Sequence, residues 1–146
     1  MAPSHGTVAG VEQSECRWRL AAEPVATLVT IDDRANPHAV PVCFAVLSQD
    51  RLVTAVDHKP KRTTALRRLD HVRTHPEVCV LAHHYEDDWD ALWWVRVDGD
   101  AVVVDEPGDD LVAPLAAKYP AYTERPPAGP AIVVTIRRWS GWSARD

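Results

Sequence analysis

VATLVTIDDRANPHAVPVCFAVLSQDRLVTAV, residues 25–56, holds three apolar runs separated by two turn-forming stretches, and its reading decides the fold. VATLVTI is rich in β-branched residues and short, as a strand is; DDRANP is dense in turn formers; HAVPVCFAVL reads as the returning strand of a hairpin. SQDR then turns the chain into a third strand, LVTAV. Connections this short join antiparallel neighbours, whereas parallel strands need a crossover of a dozen residues or more. Pro41 lies inside the second run and has no N–H to give to a ladder, so it marks an edge or a bulge there.

Upstream, SECRWRLAAE reads as a helix, with Ser14 as its N-cap and Pro24 enforcing the stop. Residues 1–13 read as a loose polar tail with no signal-peptide pattern, and residues 14–146 as one domain. Downstream, VCVLAHHY is a strand and EDDWDA a loop. LWWVRVDGDAVVV is a long strand with Gly99 at a bulge or tight turn. GDDLVAPLAAKYPAY reads as one helix with Leu111, Leu115 and Tyr119 on one side, and AIVVTIRRWSGW as the last strand. Six strands and two or three small helices predict a mainly-β domain, a six-stranded antiparallel barrel that is closed or nearly so.

The 146 residues suit one domain with a real core. A hydrophobic share of 46% and a charged share of 25% argue against global disorder, and no run is long enough to span a membrane. The net charge of −5 argues against wholesale binding to nucleic acid, so any anion site has to be local. Cys16, Cys43 and Cys79 are odd in number and far apart, which predicts no disulfide framework and a reducing, cytoplasmic setting.

One local anion site stands out. Residues 56–78, VDHKPKRTTALRRLDHVRTHPEV, set six cations (Lys59, Lys61, Arg62, Arg67, Arg68, Arg73) against three acids (Asp57, Asp70, Glu77). Leu66, Leu69 and Val72 recur every third residue, which predicts an amphipathic helix capped by Thr63 or Thr64. Lys59, Lys61 and Arg62 then fall in the loop before the helix, beside its free N–H groups, an arrangement that suits phosphate. Arg67, Arg68 and Arg73 taken alone read as a solvated face.

Other chemistries find less support. His83 and His84 are consecutive in a strand and point to opposite faces, and His71 and His75 have HxxxH spacing but stop at Pro76 with no third ligand, so no metal is expected. The acids Glu86, Asp87, Asp88 and Asp90 lack the EF-hand pattern. No GxSxG elbow and no GxGxxG fingerprint occur. The six tryptophans read mainly as core or interface filling, and alternation lets only one of Trp93 and Trp94 face a given side.

The order PHAVPVCFAV, LVTAVDHKPKRTTALRRL, HPEVCVLAHHYEDDWDALWWVRVDGDAVVV, KYPAY and RRWSGW resembles the PPOX-class F420-dependent enzymes of actinobacteria, within the pyridoxamine-phosphate-oxidase-like split barrels. The resemblance implies an FMN-binding-like split β-barrel, a homodimer, and a flavin-type cofactor in a groove between protomers. It matches Lys59, Lys61 and Arg62 to the phosphate-binding loop and sets Thr54, Ala55 and Val56 beside the ring and ribityl chain. It sets Pro41, Val42 and Cys43 under the ring, and lets Trp94 and Arg96 reach the partner's cofactor. Asp70-His71 and His83 depart from the pattern the family leads one to expect.

The function implied is an oxidoreductase that moves a hydride between reduced coenzyme F420 and a small organic substrate. FMN is the alternative cofactor, and Tyr85 and His84 are candidate proton donors. A non-catalytic cofactor carrier or a nucleic-acid-binding module are the readings from other classes.

Overall fold

The computed structural model describes residues 11–56 and 64–145. Its strands are β1 Ala26–Ile31, β2 Pro37–Val42, β3 Ala45–Leu47, β4 Arg51–Ala55, β5 Glu77–His84, β6 Trp93–Val104 and β7 Ala131–Ser143. Its α-helices are α1 Gln13–Ala22, α2 Thr64–Thr74, α3 Asp109–Lys118 and α4 Pro120–Glu124. The strands form one antiparallel sheet in the order β2-β1-β5-β6-β7-β4-β3.

The mainly-β antiparallel class agrees with the sequence reading, but the described residues form seven strands and not six. The run HAVPVCFAVL divides into β2 and β3, which lie at opposite ends of the sheet although only Cys43 and Phe44 separate them. Three backbone steps from Val42 to Ala45 span at most about 11 Å. The sheet must therefore curl until its two edges stand side by side.

Curling gives the sheet an inside and an outside. Alternation sends Leu28, Val80, Val95, Val97, Ile132 and Val134 inward, where they pack with Phe44 and Leu52. Two helices close this core: α1 contributes Cys16 and Leu20, and α2 contributes Leu69 and Val72. Burying each of the larger side chains contributes about 1.5–3 kcal/mol. On the outside, α3 lays Leu111 and Leu115 over Val53, Ala55, Ala131 and Val133, so among the described residues a helix covers only the β3-β4-β7 half of the outer wall.

Local chemistry explains the joints. Pro41 sits on β2, an edge strand, as its missing N–H requires. The β3–β4 turn places Gln49 and Asp50 at positive φ, and Asp50 forms an ion pair with Arg17 that ties α1 to the turn. Helix α1 is entered from Glu12, with no side-chain cap, so Ser14 is not its N-cap and Gln13 belongs to the helix. The stretch GDDLVAPLAAKYPAY is two helices, not one: Tyr119 is extended, because the proline ring at residue 120 disfavours helical geometry before it. Between Asp98 and Gly99 the β6–β7 register shifts, so Arg137 is the extra residue of a bulge opposite Gly99, and it pairs with Asp100 at 2.9 Å.

Candidate functional site

The seam between β2 and β3 interrupts the sheet's ladder, and one side chain repairs it. The Tyr119 hydroxyl accepts from the Phe44 N–H at 2.9 Å and faces two carbonyl acceptors, Pro24 O at 2.8 Å and Phe44 O at 3.0 Å. On the inner side, Thr54 Oγ1 donates to the Cys43 carbonyl at 2.7 Å. Burial pushes the Tyr119 phenol up to about 12. Beside it, Lys118 Nζ lies 3.6 Å from the centre of the Phe44 ring and has no hydrogen-bond partner among the described residues. Burial lowers that amine to about 8, against the pull of Cys43 and Glu23; the ring face returns part of the cost as a cation–π contact.

The half of the outer wall that no described helix covers carries the second group of residues. Register places Pro41, Thr27, Leu81 and Arg96 in one row across β2, β1, β5 and β6, with His83 and Trp94 in the row beside Leu81 and Arg96. Leu81, His83, Tyr85, Trp94 and Arg96 line an open cleft of about 310 Å³. Its floor is apolar and its polar groups are few: the Arg96 guanidinium, 3.3 Å from Asp98, the His83 imidazole, and the exposed Tyr85, whose ring meets that of His83 edge-on. His84 lies outside this cleft and is occupied by Glu86 at 2.6 Å.

The sequence-predicted residues thus fall into groups. Trp94 and Arg96 share one face and one cleft, as alternation predicts. Pro41 is exposed on the same row, three strand spacings or about 14 Å from Arg96. Cys43 is half-buried in the seam, in contact with Thr54. The side chains of Val42, Thr54, Ala55 and Val56 are buried within the chain itself, and the Val56 N–H is spent on Pro130 O at 2.9 Å. Lys59, Lys61 and Arg62 lie outside the described residues. Of the helix cations, Arg73 is paired with Asp105 at 3.2 Å and Asp70 at 3.6 Å. Arg68 is half-buried, its charge opposed by desolvation, with its Nε unpartnered among the described residues.

A further cluster escaped the sequence reading. Thr30, Asp32, His38 and His71 meet where the β1–β2 hairpin touches α2, at a second cleft of about 380 Å³. HxxxH spacing pointed from His71 to His75, but α2 ends at Thr74 and His71 turns to the hairpin instead. Among the described residues no three His, Cys, Asp or Glu side chains come together as a metal-holding group. No described helix is long and apolar enough to cross a membrane.

The family described as Pyridoxamine 5'-phosphate oxidase matches residues 13–143. No curated protein sequence matches. Among solved structures, the conserved hypothetical protein Rv2991 from Mycobacterium tuberculosis is similar with a TM-score of 0.77 at 19% identity, over 98% of this chain and 91% of that one. An FAD binding protein from Mycobacterium smegmatis is similar with a TM-score of 0.64 at 19% identity, over 93% and 98%. HutZ, the heme storage protein from Vibrio cholerae, gives 0.65 at 14% identity, over 89% and 90%. Identities this low speak for a shared fold.

Proposed function

Since the chain belongs to the pyridoxamine 5'-phosphate oxidase family, we propose that it is an oxidoreductase working through a flavin-type cofactor, with coenzyme F420 as that cofactor and FMN as the alternative. The observation that carries the reading is the apolar cleft on the sheet face that no described helix covers, where Leu81 and Trp94 form a shelf with Arg96 at its side. A planar polycyclic ring needs such a shelf, apolar with a few placed polar groups, and the residues fit it. One structural neighbour is described as an FAD binding protein, which supports a flavin-sized group on this fold.

The cofactor would supply hydride transfer to or from a small organic substrate. The chain's own residues bind and orient. Lys59, Lys61 and Arg62 would hold the phosphate, and Arg96 would place a positive charge beside the ring. Tyr85, exposed on the same cleft, is the proton donor of this reading, since His84 is engaged by Glu86. Pro41 and Cys43 would bound the ring from β2, and Thr54, Ala55 and Val56 would act by fixing the backbone of the seam. A second copy of the chain would cover the open face and complete the groove in a twofold dimer, in the cytoplasm. Light scattering at micromolar concentration should give twice the chain mass; a monomer that still binds cofactor would overturn the shared groove.

Titration of the purified full chain with F420 and with FMN, at low and high salt and followed by tryptophan fluorescence, tests the cofactor. F420 should bind more tightly in both conditions, because discrimination rests on the ring and exposed ion pairs to its tail contribute only about 0–1 kcal/mol. Tighter FMN binding in both would replace F420 by FMN. Lys61→Ala and Arg62→Ala should each raise the dissociation constant about tenfold or more, the loss of one charge-assisted hydrogen bond. Arg73→Ala should not, its guanidinium being engaged by Asp105 and Asp70. Equal effects at all three would mean diffuse attraction without a phosphate site.

A further inference from the structure

We propose that His38 and His71 form a proton-operated latch between the β1–β2 hairpin and α2, closed while the His71 ring is neutral and released as it takes up a proton. The two rings stack with centroids 4.5 Å apart and planes tilted by 38°. Each is held from behind by the hairpin. His38 Nε2 donates to Asp32 Oδ2 at 2.9 Å, and His71 Nδ1 lies 2.8 Å from Oγ1 of Thr30, a threonine only 2% exposed. Asp32 is itself fixed by the N–H groups of Arg34 and Asn36, both at 2.9 Å. The turn thus sets the carboxylate, the carboxylate sets His38, and His38 receives the ring of α2.

The charges around the pair decide its response. Asp32, on the turn after β1, and Asp70, on α2, favour a charged His71, while His38 on β2 and Arg67 on α2 oppose it. Asp33 lines the same cleft, and Arg73 is shared between Asp105 and Asp70. Desolvation against the hairpin is the largest influence and, with His38, holds the His71 proton affinity below its ordinary value. Charge on both would set two imidazolium rings 4.5 Å apart, centre to centre. Without the latch, α2 keeps Leu69 and Val72 as the buried anchors among its described side chains.

The sign follows from where the proton goes. An unfolded chain takes up a proton on His71 near pH 6.5, whereas the folded chain resists it, so unfolding binds a proton and stability falls as the pH drops through and below about 6.5. The latch is independent of the cofactor reading and is tested on the full chain without cofactor.

His71→Asn places an amide where Nδ1 stood, and His38→Gln places one where Nε2 stood, so each keeps its hydrogen bond and loses its proton site. Urea unfolding at pH 7.5, 6.5 and 5.5 should show the wild-type folding constant falling by up to about tenfold per pH unit more steeply than in His71→Asn, with His38→Gln between the two. Amide exchange, corrected for intrinsic rates, should accelerate at pH 5.5 in residues 64–74 and 26–42 of the wild type and not in His71→Asn. The same pH slope in all three proteins would overturn the latch, as would acceleration spread equally over β6 and β7.

Discussion

Gly99→Ala should destabilise the protein by about 3 kcal/mol, the upper range for forcing an extra methyl into a packed interior. A Cβ at this position would stand 2.2 Å from the Thr135 carbonyl oxygen and 2.8 Å from a methyl of Val134. A side chain could rotate away, but the Thr135 carbonyl belongs to the backbone of β7. That backbone is committed to β4 through the Arg51–Thr135 pair and to the bulge at Arg137. The clash is relieved only by parting β6 from β7, the longest pairing in the sheet. Urea unfolding would read the loss as a lower midpoint. A change below about 1 kcal/mol would show that the bulge slides along β7 to make room.

Tyr119→Phe should cost about 1–3 kcal/mol while leaving the ring in place. The Phe44 N–H loses its acceptor in a residue that is 0% exposed, and the Pro24 and Phe44 carbonyls lose their shared donor. The hydroxyl also gives the seam a pH signature. Its folded-state proton affinity lies at about 12, above the ordinary tyrosine value. An unfolded chain therefore releases this proton near pH 10 while the folded chain keeps it, and the stabilisation, complete below pH 10, is lost as the pH rises toward 12. The wild type should thus lose more stability than Tyr119→Phe between pH 10 and 12. Parallel loss in the two proteins would mean that the hydroxyl is not the seam's fastener.

Tyr119 also shows where sequence reasoning stops. Pro41 at an edge, Gly99 at a bulge and the strand-length runs of β1, β4, β5, β6 and β7 were legible, because each depends on a residue's own geometry or on its local period. The break at Cys43–Phe44 was not. HAVPVCFAVL carries no turn residue at that point, and the partner that stabilises the interruption lies 75 positions away. The helix break at Tyr119 was signalled by Pro120, but the apolar spacing of Leu111, Leu115 and Tyr119 reads equally well as one continuous face.

The candidate site divides in the same way. Trp94 and Arg96 share a face because strand alternation demands it, and their cleft completes itself through Leu81 and His83, which only the β5–β6 register supplies. The pairing of His38 with His71 joins a strand to a helix across the hairpin, and no spacing rule reaches that far. Between them, the seam and the histidine pair are tertiary inventions carried by single side chains.

The sheet order has a consequence for a chain made from one end to the other. Residues 26–55 supply both outer pairs, β2 with β1 and β3 with β4, before any of the three strands that must come between them exists. The closing pair, β4 with β7, joins Ala55 to Ala131, so a long loop must be gathered before that contact repays its entropy. Until residues 131–143 leave the ribosome, β4 and β6 each present a row of unpaired N–H and C=O groups. A chain stalled or clipped ahead of β7 therefore offers two templates for strand addition by its neighbours, whereas α1 takes part in no strand pair.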